Sequence, residues 1–374
     1  MQVTAAVLHE RSTSRPFADS APLTLETLDL QGPGEGEVLV RIKAAGLCHS
    51  DLSVINGDRP RPVPMALGHE AAGVVEAVGP GVHDLNPGDH VVMVFVPSCG
   101  HCRPCAEGRP AICEPGNGAN LRGEMLAGGR RLSLAGEPIH HHLGVSAFAD
   151  HAVVSRHSLV PVPTDMPLEH AALFGCAVLT GVGAVVNTAR VPPGASVAVV
   201  GLGGVGLAAL LGALACGAER VVAVDLLPAK LKLARELGAT DTFEAGDPEV
   251  VSRVREVTGG GVDYAVEVAG SEKALEMAYH ITRRGGTTVT AGLANPARHI
   301  SIQQASLVAE ERTLKGSYVG SCIPVRDIPR YVGLFRRGRL PVDRLLSEII
   351  RLDQINTAFD RLADGEVLRQ VVML

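Results

Sequence analysis

The second half of the chain alternates apolar strands with helical segments, and this alternation limits the possible fold more than any other feature. The strand-like runs include SVAVVG, RVVAVD, DYAVEV and TTVTAG, with TLKGSYV as a further candidate, and helical runs such as VGLAALLGALACG and PAKLKLARELG lie between them. Strands joined through helices pair in parallel, with the helices covering the sheet. The sequence from about residue 195 to 320 therefore predicts an α/β domain with a doubly wound parallel sheet.

The first half of the chain has a different residue pattern. The short β-branched runs VTAAVL, EVLVRIKAAG, AAGVVEAVG and DHVVMVFV are separated by Gly and Pro, which predicts a mostly antiparallel β domain. A length of 374 residues exceeds what one hydrophobic core usually supports. We predict domains at residues 1–177 and 178–320, followed by a segment 321–374 with helical patterns such as IPRYVGLFRRG and INTAFDRLADG.

The charge and cysteine content exclude several classes of protein. The formal net charge is −6 and no Lys/Arg-rich run occurs, which argues against a nucleic-acid or anionic-membrane partner. The N-terminus lacks a signal-peptide pattern, and no window reaches the roughly 18 apolar residues of a membrane span. Eight cysteines, four of them clustered, indicate metal ligands in a reducing compartment, so we expect a cytoplasmic protein.

A glycine-rich turn in the second half predicts a dinucleotide site. Gly201, Gly203 and Gly206 form G-x-G-x-x-G between an apolar strand and a helical run, with Gly204 in the same turn. Asp225 ends the next strand, where an acidic residue binds the ribose diol and would repel a 2′-phosphate, which favours NAD over NADP. The alternatives are a turn without a ligand and a solvated strand end.

Four cysteines in CGHCRPCAEGRPAIC predict a metal-binding lobe. Their residue numbers are Cys99, Cys102, Cys105 and Cys113. Four thiolates leave no open coordination position, so the lobe is typical of structural zinc. An iron–sulfur cluster also uses four thiolates, and a disulfide pair is a further alternative.

A second set of candidate metal ligands is dispersed along the chain. Cys48 and His49 lie in GLCHSD, His69 and Glu70 in GHE, and Cys176 in LFGCAVLTG. Spacing cannot connect residues more than a hundred positions apart. A lone cysteine is usually a small buried hydrophobe. From the residues alone, catalysis at these positions stays open.

The motifs together resemble a known family. GLCHSDLSVINGDRPRPVPMALGHEAAGVVEAVG, the four-cysteine lobe, GCAVLTG and GLGGVG occur in the order and separation typical of zinc-dependent medium-chain alcohol dehydrogenases. The resemblance covers essentially the whole chain and is greatest to the liver-type dimeric branch. It implies a GroES-like catalytic domain at 1–177 with a structural zinc lobe at about 97–115, a Rossmann domain at 178–320, a C-terminal segment returning to the catalytic domain, and a homodimer.

The resemblance also implies the chemistry. Two zinc ions per chain are expected, with catalytic zinc held by Cys48, His69 and Cys176. Three protein ligands leave one position for water or substrate. Asp51 would orient His69, Glu70 would lie close behind the metal, and Ser50 would take the alcohol proton. The expected reaction is NAD-dependent oxidation of a primary or secondary alcohol to an aldehyde or ketone, and the reverse, by zinc-assisted alkoxide formation and hydride transfer to nicotinamide.

Further cofactor contacts follow from matching positions in the family. Thr180 and Val205 would pack on the nicotinamide, Lys230 would lie near the adenosine ribose, and Arg369 would reach the pyrophosphate. The alternative for Lys230 and Arg369 is a solvated surface cation.

Two positions depart from the family pattern. Ser53 stands where many relatives end a proton relay with histidine, so the relay would end in water or another base. His49 stands where liver enzymes often carry an arginine for the pyrophosphate. Because imidazole holds phosphate less firmly than guanidinium, we predict weaker NADH retention.

The expected substrate pocket mixes apolar surface with one polar ring. Its wall would include Phe95, His142, Leu143 and Tyr318, which suits a medium or aromatic primary alcohol. His140, His141 and His142 form a run that could hold a third metal, although such histidines in short loops are usually structural.

Other functions remain possible from the sequence. Arg59 and Arg61, together with EPGNG after the fourth lobe cysteine, give the wrong charges for a glutathione adduct. A specialised polyol or thiol-adduct (formaldehyde) dehydrogenase is the enzyme alternative. A non-catalytic NAD-binding structural protein and a zinc-lobe interaction module are the alternatives from other classes.

Overall fold

The structure is a computed structural model that describes residues 1–374. Its contacts divide the chain into two compact units. The first unit contains Met1–Cys176, Ile323–Val332 and Val342–Leu374, and the second contains Ala177–Cys322 and Gly333–Pro341. No single helix has the length and apolar composition of a membrane span. The helical segments Leu168–Gly175 and Ala177–Ala189, which are separated by a bend, reach that length and composition only when they are counted together.

The first ten strands build most of the first unit. They are β1 (Gln2–Leu8), β2 (Leu23–Leu30), β3 (Glu37–Gly46), β4 (Met65–Ala66), β5 (Glu70–Val78), β6 (His90–Met93), β7 (Leu132–Leu134), β8 (Glu137–His141), β9 (His151–Ser155) and β10 (Leu159–Pro161). Strands β1, β2, β7, β8 and β4 close into a barrel, and all pairs in it except β4 with β8 are antiparallel. Alternating inward residues such as Val3, Ala5 and Val7 fill its core.

Four short helices lie between these strands and a fifth follows β10. They are α1 (Phe17–Ser20), α2 (His49–Ile55), α3 (Arg103–Ala106), α4 (Glu114–Arg122) and α5 (Leu168–Ala172). Helix α2 begins directly after Cys48, whose backbone N–H donates to Asp51 three residues later. This capping arrangement fixes the start of the helix.

The second unit has the expected parallel sheet. Its helices are α6 (Ala177–Gly183), α7 (Gly204–Ala215), α8 (Pro228–Glu236), α9 (Val250–Val257), α10 (Glu272–Ile281) and α11 (Gln304–Ala309). Its strands are β11 (Ser196–Val200), β12 (Arg220–Asp225), β13 (Asp241–Glu244), β14 (Val262–Glu267), β15 (Thr282–Thr290) and β16 (Thr313–Gly316), in the order β13-β12-β11-β14-β15-β16. Every pair in this sheet is parallel, which confirms the predicted fold class.

The C-terminal segment contains more strand than its helical patterns indicate. Helices α12 (Pro324–Arg336) and α13 (Ile355–Ala363) form as expected, and β17 (Leu346–Arg351) and β18 (Arg369–Met373) accompany them. Strand β18 pairs antiparallel with β3, so the segment completes the sheet β10-β6-β5-β3-β18-β17, with β9 also on β3. The run RQVVM is too short to reveal a strand without its partner.

Candidate functional site

The four-cysteine lobe has the geometry of a zinc site. The sulfur atoms of Cys99, Cys102, Cys105 and Cys113 all lie within 4.8 Å of one another. Cys102 Sγ and Cys113 Sγ are 3.9 Å apart. Tetrahedral zinc with bonds of about 2.3 Å places its sulfur ligands about 3.8 Å apart, whereas a disulfide bond is about 2.05 Å long. The lobe therefore fits a four-thiolate metal ion and not a disulfide.

Backbone amides favour the thiolate form of Cys99, whereas burial raises the pKa of Cys105 to about 12 and also raises that of Cys113. The Cys102 N–H lies 3.3 Å from Cys99 Sγ, and the Cys99 N–H lies 3.2 Å from Cys113 Sγ. Burial raises the pKa of Cys99, but backbone N–H donors from His101 and Cys102 outweigh it and lower that pKa to about 7. A lowered pKa favours the charged form that binds metal.

Strand register brings together the first two dispersed ligands. Strands β3 and β5 are antiparallel and pair Gly46 with Glu70. Cys48 lies two residues beyond the end of β3, and His69 immediately precedes β5. Both residues therefore lie at the same end of this strand pair. Their ligand atoms and the sulfur of Cys176 lie within 4.8 Å of one another, and all three residues are buried.

Asp51 holds two of these residues in place. One carboxylate oxygen lies 2.9 Å from His69 Nδ1, and the other accepts the backbone N–H of Cys48 at 3.1 Å. The His69 Nε2 atom is buried and has no hydrogen-bond partner. A carboxylate on one ring nitrogen and a free second nitrogen is the arrangement of a metal-binding histidine.

The pKa values of Cys48, Cys176 and His69 are shifted in different directions. A hydrogen bond with Cys176 lowers the pKa of Cys48, and Arg369 and His69 lower it further. The same hydrogen bond and burial raise the pKa of Cys176. Burial lowers the pKa of His69, but Asp51 outweighs it and raises that pKa to about 10 in the metal-free protein. A metal ion that binds here would therefore displace the protons held by Cys176 and His69.

Arg369 lies in the same cluster. It is 3% exposed, its Nη1 donates to the Leu47 carbonyl at 2.6 Å, and its Nη2 lies 3.5 Å from Glu70 Oε2. Burial lowers the pKa of Arg369, whereas Glu70 and the two thiols raise it, and the net shift is upward. Arg369 is thus a buried ion-pair partner and not a solvated surface cation.

The histidine run has three separate environments. His140 Nδ1 lies 3.1 Å from the Arg122 carbonyl. His141 Nε2 accepts the Arg131 N–H at 2.9 Å, and burial lowers the pKa of His141 to about 3. His142 Nδ1 lies 3.2 Å from the Asp51 oxygen that also faces His69. These three rings do not converge, so the run itself forms no metal site.

Three of the four expected pocket residues lie in the first unit. The ring of Phe95 is 5.0 Å from that of His69, and the ring of His142 is 5.5 Å from it, both edge to face. Leu143 is buried and has a φ of +54°. Tyr318, the fourth, precedes a tight turn in the second unit.

Ser50, Ser53 and His49 lie in the first turn and a half of α2. Ser50 is partly buried and His49 is exposed. The Ser53 hydroxyl donates to the His49 carbonyl at 2.8 Å, which is a bond within the helix.

The glycine motif has three distinct steric roles. Gly201 has a φ of +94°, which favours glycine in the tight turn. A Cβ on Gly206 would overlap the Gly201 carbonyl oxygen, so this glycine allows α7 to pack against the turn. A Cβ on Gly203 would meet nothing within 4 Å, so the backbone faces open space at the start of α7, next to Gly204. Open space at a helix N-terminus fits a phosphate group.

The remaining cofactor candidates surround this turn within the second unit. The Asp225 carboxylate accepts the N–H groups of Leu202 at 2.6 Å and Leu227 at 2.9 Å, which ties the acidic strand end to the glycine turn. Lys230 lies in the first turn of α8. Thr180 is buried on α6, and a Cβ on the next residue, Gly181, would overlap the Val205 carbonyl oxygen. Helices α6 and α7 therefore meet closely at the predicted nicotinamide contacts.

Known proteins match both halves of the chain. The model of the alcohol dehydrogenase GroES-like domain matches residues 34–164, and that of the zinc-binding dehydrogenases matches residues 204–337. An NDMA-dependent alcohol dehydrogenase from Amycolatopsis methanolica is 40% identical, with 100% of this chain and 99% of the relative covered. The chain belongs to the zinc-containing medium-chain alcohol dehydrogenase family. Its fold and its two cysteine-containing clusters agree with this membership.

Two more relatives are similar to this alcohol dehydrogenase family member over nearly its whole length. An S-(hydroxymethyl)glutathione dehydrogenase from Escherichia coli is 37% identical, with 95% of this chain and 97% of the relative covered. The crystal structure of benzyl alcohol dehydrogenase from Acinetobacter calcoaceticus is 33% identical, has a TM-score of 0.93, and covers 100% of this chain and 99% of its own.

Two contacts at this site are not revealed by the sequence. His142 was expected as pocket wall, and nothing in the sequence connected it with Asp51, because 91 positions separate them. Gly46 was not singled out, although it pairs directly with Glu70. Only the β3–β5 register could have revealed the second contact.

Proposed function

We propose that this chain catalyses NAD-dependent oxidation of a primary or secondary alcohol to an aldehyde or ketone, and the reverse reduction. The observation that carries the proposal is the buried convergence of Cys48, His69 and Cys176, with His69 Nε2 lacking a hydrogen-bond partner. Two thiols and an imidazole suit catalytic zinc, and three protein ligands leave a fourth position for substrate.

Each residue around the cluster has a role in the proposal. Bound zinc would act as a Lewis acid on the alcohol oxygen, and nicotinamide would accept the hydride. Asp51 fixes the ring of His69 and the backbone of Cys48 through its two oxygens. Ser50 would take the alcohol proton and pass its own hydroxyl proton on, and the relay would end in water or another base because Ser53 does not titrate near neutral pH.

We assign the dinucleotide to the second unit and favour NAD over NADP. Gly201, Gly203, Gly204 and Gly206 would receive the pyrophosphate, and the open space beside Gly203 supports this assignment. Asp225 ends strand β12 and would bind the ribose hydroxyls and repel a 2′-phosphate. Thr180 and Val205 would contact the nicotinamide, and Lys230 the adenosine ribose.

His49 and Arg369 complete the proposed cofactor contacts, on the pyrophosphate. Arg369 is already engaged with Glu70 and the Leu47 carbonyl. Its Nε atom is buried and has no hydrogen-bond partner. A guanidinium has five N–H donors, so a phosphate contact would add to these interactions and would not require their loss.

The proposed substrate is a medium or aromatic primary alcohol. Phe95 and Leu143 provide apolar surface, His142 provides one polar ring, and Tyr318 is assigned to the same wall. The likeness to the benzyl alcohol dehydrogenase from Acinetobacter calcoaceticus supports an aromatic substrate. The Escherichia coli relative supports a glutathione adduct as the second candidate, against which the positive charges of Arg59 and Arg61 argue.

We also propose a cytoplasmic homodimer. Strand β16 is an edge of the parallel sheet, and its residues Thr313–Gly316 are mostly exposed. An exposed edge strand offers unpaired backbone groups to a second chain. The solution mass measures this directly: twice the chain mass supports a dimer, and a single chain mass opposes it.

The test of function is a screen of NAD reduction by absorbance of the NADH formed, with alcohols of varied length, branching and aromaticity. Glutathione–formaldehyde adduct and NADP are included as separate arms. We expect NADH formation with one group of primary alcohols and little NADP reduction. A zinc-loaded protein that oxidises none of the alcohols would contradict the proposal, and reaction with the glutathione adduct alone would support the second candidate.

A further inference from the structure

The structure contains a glycine whose backbone does not require glycine. Gly46 ends β3, and its φ is not in the left-handed region, so other residues could adopt its conformation. Glycine inside a strand is otherwise unfavourable, because it loses more conformational freedom on folding than other residues. A glycine at such a position usually marks a close approach of another group.

The group that approaches Gly46 is the side chain of Glu70. A Cβ on residue 46 would overlap Glu70 Oε1 and would lie 2.9 Å from Glu70 Cδ and 3.2 Å from Cγ. The two residues are direct partners in the β3–β5 pairing. The carboxylate of Glu70 therefore lies across the strand, in the space that a side chain on Gly46 would occupy.

Arg369 holds the carboxylate in this space, and strand β18 flanks Gly46 on the side away from β5. Arg369 Nη2 lies 3.5 Å from Glu70 Oε2, and Arg369 Nη1 donates to Leu47, the residue after Gly46. Strand β18 also pairs Val371 with Gly46. Glu70 is fully buried, so its carboxylate has no solvent to move into.

We propose that Gly46 is a positioning residue, whose missing side chain provides the space that holds the Glu70 carboxylate against Arg369 and next to the proposed zinc ligands. This inference rests on the proposed function for its catalytic consequence, because it assumes that Cys48, His69 and Cys176 hold zinc. The steric relation between residues 46 and 70 is independent of any reaction.

The test compares five variants with the wild-type holoenzyme: Gly46→Ala, Glu70→Ala, Glu70→Gln, Gly46→Ala/Glu70→Ala and Gly46→Ala/Glu70→Gln. Thermal stability and the rate of zinc release to a chromogenic chelator are measured for each, with kcat and KM as separate readouts. Gly32→Ala is the matched control, because a Cβ there meets nothing within 4 Å and its φ is not left-handed.

We expect Gly46→Ala to lower Tm and to weaken binding of one of the two zinc ions about tenfold, the lower end of the range for disturbing a group that supports metal ligands, so that this ion leaves to the chelator faster. In the Glu70→Ala background the same change should add nothing, because the obstructing carboxylate is absent. In the Glu70→Gln background Gly46→Ala should still lower Tm and speed zinc release, because the glutamine amide has the same shape as the glutamate carboxylate. Gly32→Ala should match the wild type.

Two results would overturn the inference. One is a Gly46→Ala protein with wild-type Tm and zinc release. The other is an equal loss of stability in the presence and absence of the Glu70 side chain. If Gly46→Ala alone does not fold, recovery of folding in the double alanine variant supports the inference, and no recovery opposes it. If Gly46→Ala and the Glu70 variants are coupled in Tm as expected but the enzyme oxidises no alcohol, the proposed function is refuted and the steric inference stands.

Discussion

Replacing Asp51 with asparagine should weaken one metal site and spare the other. The Asp51 carboxylate is fully buried and accepts two N–H groups, one from His69 and one from the backbone of Cys48. An asparagine amide has one accepting oxygen and one donating nitrogen. One of the two N–H groups would therefore face another donor inside the protein.

The expected size follows from the position of this carboxylate. Loss of a group that supports metal ligands lowers metal affinity or activity about 10–100-fold, or about 1.4–2.8 kcal/mol. Because Asp51 supports two of the three ligands, we expect Asp51→Asn to approach the hundredfold limit. The four-cysteine lobe does not depend on Asp51 and should keep its zinc.

The assay follows zinc release to a chromogenic chelator from the purified holoenzyme, with kcat/KM measured in parallel. We expect two phases in the variant, of which only the faster one differs from the wild type. Asp150→Asn is the matched control, because Asp150 Oδ1 lies 3.0 Å from His151 Nδ1 in a partly exposed pair away from the cluster. Wild-type release from Asp51→Asn, or equal acceleration of both phases, would refute the reasoning.

Three further changes test the other parts of the site. Gly203→Ala should fold normally and lower NAD affinity, because a Cβ there occupies open space, whereas Gly206→Ala should destabilise the second unit; calorimetry and NADH titration separate the two. His49→Arg should tighten NADH binding and slow its release, since guanidinium binds phosphate more firmly than imidazole; unchanged or weaker NADH binding opposes this. Cys105→Ala should lower Tm and remove one zinc per chain; loss of turnover in a folded protein that keeps its catalytic zinc would give the lobe a further role.

The sequence predicts best where neighbouring residues determine the structure. The turn containing Gly201 and Gly206 was predicted because its steric requirements act within a few residues of the chain. The lobe cysteines likewise lie within 15 positions, so their spacing alone indicated a metal. Both features depend on local chain geometry.

The sequence predicts poorly where strand pairing determines the structure. Cys48 and His69 meet because β3 pairs with β5 in one register, and a shift of one residue would turn each side chain to the other face. Strand β18 and the contact of His142 with Asp51 also depend on long-range packing. For the ligands, the resemblance to a family supplied what spacing could not. The resemblance also implied that the C-terminal segment returns to the catalytic domain, but it did not indicate strand β18. Nothing in the sequence indicated the contact of His142 with Asp51.

The dependence of alcohol oxidation on zinc held by Cys48, His69 and Cys176 decides whether the proposed function is correct. Its most direct test is the zinc content and alcohol-dependent NADH formation of the wild type and of Cys176→Ser. We predict about two zinc ions per chain in the wild type, as the two cysteine-containing clusters imply. In Cys176→Ser we predict about one, with turnover lost while the fold and the lobe zinc remain. Full alcohol oxidation by a variant with only the lobe zinc would contradict this dependence.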